Sequence, residues 1–147
     1  MPKRTTHEES ACPVARPLDV VGDGWTLLIV RDAFDGLRRF GQFQKNLGLA
    51  KNVLSARLAS LVANGVFELA PAADGGPYQE YLLTEKGRAL FPVVTALRQW
   101  GDQWFFGADE PRARLVERAS SAPVAPVEVR AADGRVLGPD DTRVLLP

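Results

Sequence analysis

Residues 36–65 read "GLRRFGQFQKNLGLAKNVLSARLASLVANG". Two apolar periodicities lie in this stretch. Phe40, Phe43 and Leu47 recur at i, i+3 and i+7, which predicts a short helix, and Gly48 suits the left-handed residue that closes one. Val53, Leu54, Leu58, Leu61 and Val62 form a second stripe of about 100°, which predicts a longer helix stopped by Asn64-Gly65. Two helices joined through the tight "GLA" segment have helix-turn-helix geometry. The same stretch carries Arg38, Arg39, Lys45, Lys51 and Arg57 and no acidic residue. The whole chain has 18 basic and 18 acidic residues, so this stretch is +5 and the remainder −5. That asymmetry says more about partners than the neutral total does.

The flanks extend the pattern. Residues 1–11 have the polar composition of an unpinned arm. Val14, Leu18 and Val21 keep helical spacing up to Gly22, with Pro17 in the first turn, where a missing N–H is tolerated. In "GWTLLIVRDAFDG", Trp25, Leu28, Ile29 and Phe34 can share a buried face. The run Leu27–Val30 also fits a strand, but Asp23-Gly24 offers a cap and Arg31-Asp32-Ala33 continues the helical pattern. After Gly65 the period changes: "VFELAP" and "YQEYLLT" flank "AADGGP", which predicts a β-hairpin. Thr84 is a fitting N-cap for a long helix to about Phe106, with Pro92 expected to kink it or open one backbone bond. From Gly107 onward there are five prolines and no aromatic residue. Val127, Val129, the "ADG" turn, Val136, Leu137 and Val144 to Leu146 suggest a small β-meander. The expected fold class is mainly α (α+β): a winged helix-turn-helix with a long C-terminal helix and a small β-rich appendage. The expected division is an arm over 1–11, the main domain over 12–106, and a linker with the appendage over 107–147.

Several function classes drop out. The longest apolar run, Trp25 to Val30, is broken by Arg31 and Asp32, too short for a membrane span. The N-terminus has no hydrophobic signal core, so the expected location is cytoplasmic, with no membrane partner. One cysteine, Cys12, and one histidine, His7, allow neither an internal disulfide nor a His/Cys metal site; His7 reads as a solvated side chain. There is no Gly-rich phosphate loop, no usable histidine base and no telling pair of acids, so neither an enzyme nor a bound cofactor is expected.

A helix-turn-helix followed by a hairpin wing sends its second helix into the DNA major groove and its wing toward the backbone or minor groove. Double-stranded DNA is therefore the expected partner, with 51–64 as recognition helix and 66–83 as wing. Gln42 and Lys45 face outward from the first helix of the pair. Lys51, Asn52, Ser55 and Ala59 lie opposite the apolar stripe of the second. Arg38, Arg39, Lys45 and Lys51 suit phosphates; Asn52 suits an adenine edge, and Ser55 a base or a phosphate. Arg57 has two readings, DNA contact or an internal ion pair with Asp32 or Asp35. The alternative for the whole chain is a winged helix used as a protein-interaction module, with a coincidental basic face.

The segments "CPVARPLDVVGDGWTLLIVRDAFDGLRRFGQFQKNLG", "NVLSARLASLVANGVFE" and "YLLTEKGRALFPVVTALRQWGD" resemble the HxlR-type winged-helix regulators, relatives of the MarR group, over roughly residues 11–106. The shared features are Cys12-Pro13, Trp25-Thr26, Arg39-Phe40, Leu54-Ser55-x-Arg57-Leu58 and Leu83-Thr84-x-x-Gly87. The resemblance implies a homodimeric transcription factor on a pseudo-palindromic operator, dimerised through its N-terminal and final long helices. On this chain those helices carry Val14, Leu18, Leu97, Trp100, Trp104 and Phe105; the other reading of the aromatics is closure of the monomer core. Some members of the family sense oxidants or electrophiles through the cysteine matched by Cys12, against which stands an inert, interface-packing thiol. An oxidant or small-molecule effector is thus a further implied partner. Two departures stand out. Ala50 occupies the position where relatives often cap the recognition helix with Ser or Thr, and the tail lacks the cysteines of a ribbon-like extension.

Overall fold

The computed structural model describes residues 5–147. Its elements are α1 (Ala15–Val21), α2 (Thr26–Phe34), α3 (Phe40–Leu47), α4 (Lys51–Ala63), β1 (Phe67–Pro71), β2 (Gln79–Leu83), α5 (Glu85–Arg88), α6 (Phe91–Trp104) and a 3-10 turn, Pro139–Asp141. These are the helix-turn-helix and wing read from the sequence. The chain divides into two compact units, one through Phe91 and one from Pro92 to Pro147.

In the first unit the core forms where α2, α3, α4 and β1 converge. Ile29, Val30, Phe43, Leu54 and Leu58 have no exposure, and Leu61 and Phe67 have 1%. Leu54, Leu58 and Leu61 are the stripe expected on the second helix of the pair. The buried face of α2 differs from expectation. Thr26, Ile29, Val30 and Asp32 are buried, while Trp25 is 38% exposed and precedes the helix as its N-cap residue. The reason is the cap itself. Asp23 Oδ1 accepts from the Trp25 and Thr26 N–H groups (2.8 and 3.0 Å), and the Thr26 hydroxyl donates to Asp23 Oδ2 (2.5 Å). This starts the helix at Thr26 and sets its rotation.

Gly48 closes α3 at φ +66°, in the left-handed region, and its N–H donates to the Gln44 carbonyl. Ala50 precedes α4 in extended conformation with no side-chain cap, as its aliphatic side chain dictates. The wing is an antiparallel pair in which Phe67 faces Leu83 and Pro71 faces Gln79. It is bound to the start of α3 by the Tyr81 N–H, which donates to the Arg38 carbonyl at 2.7 Å.

The expected long helix is two helices. α5 ends at Arg88, and α6 begins at Phe91 with Pro92 as its second residue. Proline has no N–H to give a carbonyl four residues back, and its ring collides with that carbonyl, so the helix stops and restarts. The Thr84 cap holds: its hydroxyl accepts from the Gly87 N–H (3.1 Å) and donates to the Gly65 carbonyl (2.5 Å). Lys86 Nζ donates to the Asn64 carbonyl at 2.6 Å, satisfying the end of α4.

In the second unit the backbone after α6 is extended but pairs only at isolated bridges, Val116 with Pro123 and Arg130 with Val136. The "ADG" turn is present, with Gly134 at φ +92° and the Leu137 N–H donating to the Val129 carbonyl. Val144, Leu145 and Leu146 are 84, 76 and 85% exposed and form no strand. Prolines at 123 and 126 remove ladder donors, which limits the expected meander to single bridges. The tail is held by side chains instead. Gln99 donates to the Ala125 carbonyl (3.0 Å) and accepts from the Val127 N–H (2.7 Å). Arg112 donates to the Asp102 carbonyl and carboxylate (2.8 and 2.9 Å) and lies over the Phe106 ring at 4.8 Å.

Gly87 shows why the Leu-Thr-x-x-Gly pattern ends on glycine. A Cβ there would lie 2.2 Å from the Val66 carbonyl oxygen and 2.9 Å from Leu83 Cδ2. Backbone cannot yield as a side-chain tip can. Gly87→Ala is therefore expected to destabilise the fold by about 3 kcal/mol, read as a lower urea midpoint with unchanged slope.

Candidate DNA-binding face

The helix-turn-helix is assembled by two clips. Asp32 is 1% exposed, yet its carboxylate accepts from Arg31 Nε and Nη2 (3.0 and 2.8 Å) and from Asn46 Nδ2 (2.8 Å). It thereby ties α2 to α3 with its charge satisfied, the condition for burying a carboxylate. The second clip is local. Gln42 Oε1 accepts from the Arg38 and Arg39 N–H groups at 2.9 and 3.0 Å. The side chain read from sequence as an outward DNA contact thus also caps the helix that carries it.

The five cations separate into two groups. Three meet acids from outside their own segment. Arg39 Nη2 lies 2.7 Å from Asp74 Oδ2 and 3.7 Å from Glu80 Oε1, and Arg38 Nη1 lies 3.8 Å from Glu80 Oε2. Arg57 Nε, itself buried, lies 3.5 Å from Asp23 Oδ1, an ion pair without hydrogen-bond geometry. Its acidic partner is Asp23, not Asp32 or Asp35. Asp32 is already committed to Arg31 and Asn46, and Asp23 sits beside it as the α2 cap. Burial pushes the Asp23 carboxyl up. The Thr26 hydroxyl, the Trp25 and Thr26 N–H groups and Arg57 outweigh that and hold it below its ordinary value.

Lys45 and Lys51 form the second group. Both are exposed, as are Asn52, Ser55, Ala56 and Ala59 on α4. Among the described residues the side chains of Lys45, Lys51, Asn52 and Ser55 make no hydrogen bond or ion pair. Small residues between them leave the α4 backbone approachable, and α4 itself carries no Asp or Glu. A surface of this kind can take phosphates on its lysines and present Asn52 and Ser55 to base edges. Asp23, Asp74 and Glu80 are the residues sequence reading missed as partners. Asp23 was visible as a cap, but nothing local signals that the wing's acids meet Arg38 and Arg39.

The remaining expected site residues lie elsewhere. In the first unit Val14 and Leu18 on α1 are 67 and 48% exposed. In the second, Leu97, Trp100, Trp104 and Phe105 are 48, 55, 67 and 66% exposed, with Trp100 and Phe105 in edge-to-face contact at 5.1 Å. Cys12 is exposed. The Ala15 and Val14 N–H groups hold its thiol below the ordinary value. Residues before it are tied to α1: the His7 N–H donates to Asp19 Oδ2 (2.7 Å) and Arg16 Nε to the Ser10 carbonyl (2.5 Å). Of the arm expected over 1–11, residues 1–4 lie outside the described residues. No described helix is long and apolar enough to cross a membrane.

A three-helix core with a two-stranded wing and an acid-free outer face on its second paired helix defines a winged helix-turn-helix regulator of transcription. The chain belongs to the HxlR-like helix-turn-helix family, whose pattern it matches over residues 20–108. It is 44% identical over 110 residues to Rv3095 of Mycobacterium tuberculosis, an uncharacterized HTH-type transcriptional regulator, across 75% of this chain and 70% of that protein. Among solved structures it is similar to PA1607, a candidate transcription factor. Identity is 61% over 96% of this chain and 99% of that one, with a TM-score of 0.92. It is also similar to the redox regulator HypR in its reduced form, at 32% identity, 63% and 92% coverage and a TM-score of 0.57.

The lowered Cys12 thiol has a direct consequence. Its thiolate forms at lower pH than that of a free cysteine, so the pH midpoint of its alkylation by iodoacetamide should lie below that of free cysteine run alongside. Mass spectrometry across a pH series, with Cys12→Ser as blank, checks this.

Proposed function

We propose that the protein is a homodimeric repressor that binds a pseudo-palindromic operator through the 51–64 recognition helix and the 66–83 wing. The observation that carries this reading is the unpaired polar face of α4, where Lys51, Asn52 and Ser55 stand exposed beside small residues and no acid. In this reading Lys45 and Lys51 neutralise phosphates, Asn52 and Ser55 read bases, and Arg38 and Arg39 flank the backbone. Arg57 is spent on Asp23 and contributes by holding α4. Residues 12–106 form the binding and dimerisation domain, with 107–147 as its appendage.

Dimerisation is proposed through α1 and α6. Each exposes large apolar side chains that are costly to leave in water, and a two-fold dimer would set two recognition helices about one helical turn apart on DNA. A dimer bound across a promoter occludes polymerase, which makes repression the expected sign. The protein-interaction alternative predicts no DNA binding at all.

Thiol control by an oxidant or electrophile is a second layer, favoured by the exposed, activated Cys12 and by the similarity to HypR. Each of two Cys12 thiolates in a dimer can attack a small-molecule disulfide, forming a mixed disulfide and releasing the other half as a thiolate, or displace the leaving group of an electrophile and be alkylated.

Fluorescence anisotropy with DNA from upstream of its own gene tests the central reading. Lys51→Ala is expected to weaken binding to every sequence and flatten the salt dependence by about 0.9 in log–log slope. Asn52→Ala is expected to relax sequence preference, at about 1–3 kcal/mol for the base it reads. Binding unchanged in both would remove this face. Sedimentation should give a mass about twice the 16.0 kDa chain, and Trp104→Glu should shift it to monomer.

A further inference from the structure

The wing tip is acidic where a DNA-facing loop would ordinarily be basic. Its turn, "AADGGP" at 72–77, carries Asp74 and no cation. Asp74 is also aimed. Its Oδ1 accepts from the Gly76 N–H at 2.9 Å, and its Oδ2 accepts from Arg39 Nη2 at 2.7 Å. Between the start of α3 and the wing lies an open groove of about 1020 Å³, lined by Arg39, Phe40, Gln42, Tyr78, Gln79 and Tyr81 among others. Arg39 stands in its wall with a carboxylate on its guanidinium.

The two acids near Arg39 are built differently. The Glu80 side chain is 8% exposed, accepts from the Ala73 N–H (3.3 Å) and lies between Arg38 and Arg39 at 3.8 and 3.7 Å. It is a fixed counter-charge inside the joint. The Asp74 side chain is 61% exposed. An exposed pair of this kind is weak and screened by salt, so another anion can replace it. A phosphate oxygen offers the guanidinium the same geometry with more charge.

We propose that this groove is a seat for the DNA backbone, and that Asp74 occupies Arg39 within it until a phosphate takes its place. Asp74 is then a determinant of specificity. It subtracts from the sequence-independent part of the binding energy, because every complex that uses Arg39 must first give up the carboxylate, and it leaves base reading by α4 untouched. The mutual shifts of the pair, Asp74 down and Arg39 up, each caused first by their shared hydrogen bond, agree with a formed ion pair in the free protein. This inference rests on the proposed reading of the α4 face as the DNA contact.

The test uses the full chain and a labelled random-sequence 30-base-pair duplex, followed by anisotropy over a salt series. Asp74→Asn keeps an oxygen for the Gly76 N–H and removes the charge. It is expected to tighten binding about two- to fivefold and to steepen the log–log salt slope by up to about 0.9. In an Arg39→Gln background the same change should give no gain. Unchanged or weaker binding by Asp74→Asn overturns the proposal. So does an equal gain with Arg39→Gln, which would mean plain removal of a repelling charge. If Lys51→Ala still weakens binding while Asp74→Asn is silent, only this inference falls. If both are silent, the DNA face falls with it.

Discussion

Phe43 is fully buried, and its ring meets Phe67 at 6.2 Å and Tyr81 at 6.5 Å, with those two 6.2 Å from each other. This triangle joins α3 to both strands of the wing. The two strands alone would be marginal in water, and α3 is only eight residues long, too short to persist unaided. Each becomes stable by covering an aromatic face of the other. The recognition helix depends on the same joint: Leu54, Leu58 and Leu61 complete the core and so fix which side of α4 is left for solvent. Truncating an aromatic ring in such a site typically costs about 3–5 kcal/mol, a large share of the stability of a domain this size.

Around this apolar joint the charges are placed by burial. Asp32 and Glu80 are nearly inaccessible; Asp32 accepts from Arg31 and Asn46, and Glu80 accepts from the Ala73 N–H with Arg38 and Arg39 close by. Asp23 caps α2 while meeting Arg57. Asp23 and Glu80 lie outside residues 36–65 and meet arginines of that segment, while Asp32 holds Arg31 and Asn46. The +5 of residues 36–65 is therefore partly internal wiring. What survives as free positive charge is Lys45 and Lys51, both on the side away from the core. A neutral protein can present a basic face in this way because acids from outside the segment, Asp23, Asp74 and Glu80, pair with its arginines and not with Lys45 or Lys51.

The local features were legible before any coordinates. The stripes at 40–47 and 51–64, the Gly48 stop, the hairpin and the Thr84 cap all depend on contacts within a few residues, where spacing and residue type decide the outcome. Where reading from sequence diverged, a longer-range or backbone effect intervened. Pro92 was expected to bend a continuous helix, but it lies one residue inside α6 and separates it from α5. Trp25 was expected inside, but the Asp23 cap starts the helix one residue later. The tail's valines suggested strands, but prolines leave too few donors for a ladder.

By itself the sequence determined the order of helices and strands, the sides of α3 and α4 that turn inward, and a concentration of cations near the proposed DNA face. These follow from periodicity and local chemistry. Only the tertiary structure decided which of those cations remain available. Arg38 and Arg39 lie about forty residues from Glu80, and Arg57 lies 34 from Asp23, and no local pattern encodes such pairings. They arise because packing Phe43 against the wing brings the strand acids over the start of α3, and because the α2 cap faces α4 across the core.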